Sequence, residues 1–244
     1  MTPRSLLIRG MLVGLGAGLL AFVFARLFGE PSINAAIGFE GAHAPVEAGE
    51  PELVGRTIQA SVGLAVAVCV YGAALGGIFA LAFAFVYRRI GTAGTRATAA
   101  TLAAVGFVTV FLIPYLKYPP NPPAVGHPET IGRRSGLYLL MIVISVAAAL
   151  GAVMLRRAML PRWGSWNSTI AGIGGYAVVG AVAAAVLPVI NEVPPDFLAT
   201  NLWEFRIASL GTQLVLWTTM GVLFGALVER AERAATTAQA HAVA

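Results

Sequence analysis

The chain has 244 residues, of which 58% are hydrophobic and only 11% charged, with a mean hydropathy of +0.80. A soluble domain carries roughly 25% charged residues, so the composition argues against a water-solvated globule and for lipid as the solvent. The net charge of +5 at first suggests nucleic acid, but the placement of the charges, given below, points to lipid headgroups instead.

A membrane-spanning helix needs roughly 20 apolar residues, and six runs qualify. The first covers about 6–28. It is too long for a signal peptide, and no small-x-small cleavage site precedes "RLFGEP", so it reads as a retained helix. Gly10, Gly14 and Gly18 make two GxxxG steps along it. The connection that follows, "GEPSINAAIGFEGAHAPVEAGEPELVGR", is the longest and most acidic in the chain. Within it, 32–42 is predicted to form a short interfacial helix with Ser32 as N-cap. The second run, about 58–87, carries a further pair, Gly72 and Gly76, and the single cysteine, Cys69, which rules out a disulfide framework and a CxxC metal site. The third and fourth runs are about 97–116 and 137–155. The fifth, about 170–190, and the sixth, about 207–228, complete the set, the last with Gly221 and Gly225. Small residues at this spacing let helix backbones approach closely in lipid.

With six spans, one side holds the N-terminus, the 88–96 and 156–162 connections and the tail. It has ten basic residues and two acids, Glu229 and Glu232. The other side has nine acids and six basic residues. The sides therefore carry +8 and −3, the positive-inside bias, which predicts that both termini are cytoplasmic. The expected architecture is all-α: one polytopic membrane domain of three parallel two-helix hairpins, about 5–88, 96–156 and 169–229, with a cytoplasmic tail over 230–244.

The hairpins show signs of repetition. "ELVGR" at 52–56 and "ETIGR" at 129–133 stand before the second and fourth runs, and "WEFR" at 203–206 before the sixth. "IPYLKYPP" and "LPVINEVPP" also match, placing Pro114 and Pro188 74 positions apart, against 73 for Arg133 and Arg206. Two markers with nearly one offset indicate an internal repeat. Parallel repeats occur in transporters, which often bind substrate at the junction; duplication also builds any helical bundle. The two prolines either stop their helices or bend them and free a carbonyl.

Glutamate at a helix start complements the helix dipole; arginine there opposes it. Three things can hold Arg56, Arg133 and Arg206 in place: an i,i+4 pair with the preceding glutamate, snorkelling to lipid phosphate, or bonds to acids of neighbouring outer loops that fix a cap over the bundle. A functional version is a ring of glutamate–arginine pairs that filters ions. The interior offers less, since no Asp, Glu, Lys or His falls mid-run. Gln59 and Ser61 in "QASVG", with Ser209 and Gln213 in "IASLGTQ", are the polar groups placed to line a path, although such residues more often join helices.

Metal ligands are sparse. His43 lies in the acidic first loop with Glu40, and His127 lies two residues before Glu129. Imidazole with carboxylate suits borderline divalent ions such as Co²⁺, but no HxH, HxxxH or CxxC spacing appears, and a solvated loop histidine is the plain alternative. No acid, base and nucleophile constellation is visible, so an enzyme is not expected. No nucleotide-binding motif is present, so transport would draw on a gradient, the membrane potential or another protein.

The stretches "RGMLVGLGAGLLAFVFARLFGEPSINAAIGFE", "FLIPYLKYPPNPPAVGHPETIGRRSGLY" and "LPVINEVPPDF" resemble the CbtA-type family of probable cobalt transporter subunits over about 9–227. The resemblance implies a multi-pass protein of the bacterial plasma membrane and cobalt uptake tied to cobalamin synthesis. It also implies a small single-span partner protein with a histidine-rich terminus. It implies no bound cofactor; Co²⁺ would be the transported ion. On this basis the expected capture residues are Glu30, Glu40, His43, Asn121, His127, Glu129, Asn191 and Glu192. The rival expectation is a non-transporting scaffold that assembles a partner complex.

Overall fold

The structure, a computed structural model, describes residues 2–43, 55–89, 93–123 and 125–243. Among these residues all regular structure is helical. That is the expected outcome for a chain this apolar, because lipid offers the backbone no hydrogen-bond partners and a helix satisfies its own. Five helical stretches are long and apolar enough to cross a membrane.

Helix α1 runs unbroken over Pro3–His43. Thr2 caps its start, accepting from the Ser5 N–H at 3.3 Å, and Pro3 occupies the first turn, where a missing N–H costs nothing. The predicted interfacial helix over 32–42 is not a separate element. A π-helical turn over Ala25–Gly29 widens the spiral, and the α-helix resumes at Glu30–His43, so Ser32 is buried inside the helix and caps nothing. The wide turn already breaks the regular bonding pattern, so Pro31 can follow it without ending the helix.

Helix α2 covers Arg56–Val86 and α3 covers Thr95–Lys117. Each has its own π turn, Gln59–Gly63 in α2 and Phe107–Leu112 in α3. Pro114 lies just past the α3 π turn, is fully buried, and the helix continues through it to Lys117. Pro188 instead follows the last helical residue of its segment, as a stop.

The fourth stretch, Ile131–Val186, has 56 residues and would be about 84 Å long if straight, against a hydrocarbon core of about 30 Å. Gly164 divides it. At φ 69°, ψ 174° it adopts a backbone that side-chain-bearing residues rarely visit. We call the parts α4 (131–163) and α5 (165–186). Ser145 and Tyr176 hydroxyls lie 2.8 Å apart, and Arg156 reaches Thr169 at 3.0 Å. Residues that sum to nearly one value are therefore neighbours, so α5 folds back antiparallel on α4. Helix α6 covers Ala199–Val243 and includes the predicted tail.

The apolar core is shared by α1, α2, α3 and α6 alone, around Phe79, Phe83, Trp217, Met220 and Phe224. In α1 and α2 the two glycine series face each other. A methyl on Gly10, Gly14, Gly72 or Gly76 would overlap the opposite backbone carbonyl, and one on Gly18 would sit 2.7 Å from the Val68 oxygen. Gly221 and Gly225 press on Ala103 and Ala99 of α3 in the same way. Thus the Thr95–Gly106 part of α3 packs closely on α6, while its outer part, 107–117, also meets the 131–186 stretch.

The contacts sort the chain ends and connections into two groups. At the basic end, Tyr87 and Thr95 hydroxyls meet Glu232 at 3.3 and 2.6 Å, Arg96 meets Glu229 at 2.7 Å, and Arg157 donates to the Arg89 carbonyl at 3.2 Å. The outer extension of α1 and the loops that follow α3 and α5 gather at the other end, around a second small core of Ala36, Val125 and Phe197.

Candidate functional site

The second core draws on four places in the sequence: the outer extension of α1, the α3–α4 loop, the α5–α6 loop and the first turn of α6 (Leu202). It is the apolar floor of a cap over the acidic end. Phe39 stands edge-on to Phe197 with ring centres 5.1 Å apart. The polar residues of the cap fall into three clusters.

In the first, Arg56 pairs with Glu30, and its Nε and Nη2 also reach the Asn34 carbonyl oxygen at 3.3 and 3.2 Å. Glu30 is only 2% exposed. A carboxylate buried so deeply needs a charged partner, and the partner here comes from the next helix. Glu52, the expected i,i+4 partner of Arg56, lies outside the described residues.

In the second, Glu192 accepts from the His127 backbone N–H and the Thr130 hydroxyl, each at 2.9 Å, with Arg134 Nε at 3.7 Å. The His127 N–H foremost, then the Thr130 hydroxyl and the nearby Arg134, hold the Glu192 carboxyl below the usual carboxylate range. The arginine in this cluster is Arg134, not the predicted Arg133. Arg133 and Glu129 are both exposed and form no ion pair among the described residues. His127 contributes its backbone, while its ring is exposed.

In the third, Arg206 donates to the Asn121 side-chain oxygen at 2.9 Å and the Pro120 carbonyl at 3.3 Å, while its own carbonyl accepts from Tyr115 at 3.0 Å. Of the three ways to hold the arginines, a bond to an acid of a neighbouring outer segment is observed at Arg56, whose partner Glu30 lies in the α1 extension; Arg206 bonds a neighbouring outer loop but no acid of it. A ring of three glutamate–arginine pairs is not observed: Arg206 is held by neutral oxygens.

Outside these clusters, His43 and Asp196 face each other across the cap. His43 Nδ1 lies 2.8 Å from the Phe39 carbonyl oxygen, and Nε2 lies 3.0 Å from an Asp196 carboxylate oxygen. A carbonyl only accepts, so Nδ1 must carry a hydrogen. Nε2 is then the ring nitrogen turned toward the carboxylate, so an imidazole and a carboxylate donor stand side by side. At metal–ligand bonds of about 2.1 Å, two cis ligands of one ion stand about 3.0 Å apart. Both side chains are more than half exposed, at 53% and 60%, and the ring stacks on Phe39 at 4.2 Å. Glu40 and Asn191, close to them in sequence, are exposed. Among the described residues, no group of three or more His, Cys, Asp or Glu converges on one point.

Below the cap, most of the expected path-lining groups are spent. The Ser61 hydroxyl donates to the Thr57 carbonyl at 2.6 Å and Ser209 to that of Phe205 at 2.9 Å, both within their own helices. Gln59 is exposed and has contacts of its own. Gln213 bonds Tyr71 of α2, yet its Oε1 is buried without a partner, as is the Trp217 indole N–H one turn further.

Of the residues the sequence singled out, Glu30, Glu192, Arg56 and Arg206 lie in the three clusters and His43 beside them. Asp196, Asn34, Thr130 and Arg134 were not singled out. Asp196 was one of nine acids on its side and stood near the end of "LPVINEVPPDF" without a marked role, and of the doubled arginine at 133–134 the repeat offset pointed to Arg133, whereas Arg134 is the one that meets Glu192.

A family profile described as "Probable cobalt transporter subunit (CbtA)" matches residues 3–229, nearly the whole chain. No match appears among the curated proteins or the solved structures.

Proposed function

We propose, from the premise that the chain belongs to the probable cobalt transporter subunit (CbtA) family, that it is the membrane component of a divalent transition-metal uptake system that takes up Co²⁺ at its acidic face. It crosses the bacterial plasma membrane six times, α4 and α5 each counting once, with both termini in the cytoplasm. The basic end faces anionic inner-leaflet headgroups, as the positive-inside bias requires.

The observation that carries this reading is the His43–Asp196 pair. It offers a borderline cation one imidazole and one carboxylate at cis-ligand spacing, in an exposed position. Two protein ligands leave the remaining positions to water, which suits an ion that is handed on. Glu30 and Glu192 have a different part: their charges are already met by Arg56 and Arg134, so they hold the cap that places His43 against Asp196. Further in, the unpartnered Gln213 oxygen is the polar group best placed to meet a partly hydrated ion.

Cells expressing the chain with its small histidine-rich partner should accumulate cobalt. His43→Ala and Asp196→Asn should each lower accumulation at least fivefold with unchanged protein level. Normal accumulation in both variants would remove the pair from the route. The scaffold reading is favoured by one observation, the spent hydroxyls of Ser61 and Ser209. It predicts normal cobalt levels but loss of a co-purifying partner when the helix faces are altered.

A further inference from the structure

A cleft of about 410 Å³ opens between α3, α4 and α5, lined by Val105, Val108, Ala149, Val153 and Ile173. Its three hydroxyl-bearing residues are already engaged, Thr169 by donating to the Ser165 carbonyl at 2.8 Å. Thr109 donates to the Val105 carbonyl at 2.8 Å, and Tyr176 pairs with Ser145 at 2.8 Å. Nothing in the cleft invites a metal cation.

Arg156 closes the end of the cleft nearest the Gly164 turn. Its Nε donates to Thr169 at 3.0 Å and its Nη2 to Ser165 at 3.4 Å. Both partners are neutral, and the ion pairs among the described residues do not include it. Three of its five N–H groups remain to be used. On the same turn stand Arg157, Arg162, and two exposed tryptophans, Trp163 at 50% and Trp166 at 77%. Arginine with tryptophan at a helix end marks the level of lipid headgroups.

We infer that this cleft is a binding site for one anionic phospholipid of the inner leaflet, its phosphate on Arg156 and one acyl chain lying between α3 and the α4–α5 hairpin. The inference rests on the six-span orientation proposed above, but not on cobalt as the cargo. Charge complementarity selects the headgroup: an uncompensated guanidinium at the mouth of an apolar slot fits an anion with a hydrocarbon tail. Size selects a lipid over a protein helix. A spanning helix about 10 Å wide and 30 Å long fills roughly 2,000 Å³, several times the cleft. An unfilled apolar slot would also forfeit dispersion contacts along all three helices.

The test is native mass spectrometry of the purified full chain, delipidated and then titrated with phosphatidylglycerol or phosphatidylcholine. One phosphatidylglycerol should be retained, at least fivefold more strongly than phosphatidylcholine. Arg156→Gln should abolish that preference, while Arg4→Gln, an exposed basic residue at the same end, should keep it. Ala149→Leu fills the slot and leaves Arg156 in place; it should lower retention of both lipids. Equal retention of the two lipids by the wild type, or unchanged retention in both cleft variants, overturns the site. So does photo-crosslinking from Val153 to a polypeptide in place of lipid. A chain absent from the membrane fraction would sink the orientation as well, whereas failed cobalt uptake leaves all of these readouts standing.

Discussion

The four helices α1, α2, α3 and α6 differ sharply from the α4–α5 hairpin. The first group shares the larger apolar core, and Gly10, Gly14, Gly72 and Gly76 are placed where a methyl would strike a neighbouring backbone. The 128–186 stretch contains the most hydrophobic of the spanning segments and is the least buried, whereas α6, the least hydrophobic, is the most buried. The hairpin's glycines at 132, 136, 151 and 174 face open space. In lipid, hydrophobicity therefore does not report burial. Tails solvate an apolar surface as well as another helix does, so close backbone approach has to supply the attraction.

The comparison can be broken most directly with one substitution made in both regions. Gly14→Leu inserts a side chain into the Gly72 carbonyl across the α1–α2 seam, where there is no room for adjustment; overpacking of this kind costs about 1–3 kcal/mol or more. We expect loss of monodisperse protein in detergent by fluorescence-detected size exclusion. Gly151→Leu, placed in open space, should elute like the wild type and shift stability by no more than about 0.5 kcal/mol. Equal damage from the two would mean that the hairpin is packed against something the isolated chain lacks.

Much of the fold was legible in the sequence and the lateral arrangement was not. Helices were readable because lipid leaves few alternatives, and the α1–α2 seam was readable from Gly10, Gly14, Gly72 and Gly76. The pairing of α3 with α6 was hidden, because both are apolar on every side and hairpin connectivity suggested otherwise. The continuity of α1 past Gly29 was hidden for another reason: a π turn has no composition signature, and the glycine and proline that surround it read as a stop. At the cap, Arg56 and Arg206 stood out because a cation at a helix start opposes the dipole. Their partners did not, since Glu30 and Asn34 lie 26 and 22 residues from Arg56 and are brought near it only by the extended α1.

The cap is one place where the well-packed region and the hairpin are joined, and its two arginine–glutamate pairs differ in depth. Removing Arg56 strands the buried Glu30 carboxylate, which at such depth costs about 3 kcal/mol. Arg56→Ala should therefore lower the thermal midpoint clearly, and Glu30→Gln combined with Arg56→Ala should recover part of the loss. A double variant no better than the single one would show that the pair acts through shape and not charge.

The shallower pair should show itself as a pH effect. Glu192 ties the α5–α6 loop to the α3–α4 loop through His127 and Thr130, and these bonds hold its carboxyl below the usual carboxylate range. A depressed folded-state value means that the stabilisation is complete above the unfolded carboxylate value, near 4, and disappears as pH falls through the lower folded one. Thermal midpoints of the wild type and of Glu192→Gln should then differ at pH 7 and converge in acid below pH ~4. The difference should be smaller than that for Arg56→Ala, because water already reaches this carboxylate and screens its partners. A constant gap down to the acid limit would mean that the Glu192 charge is not what joins the two loops, and that the apolar contacts of Val125, Val193 and Phe197 hold this part of the cap together.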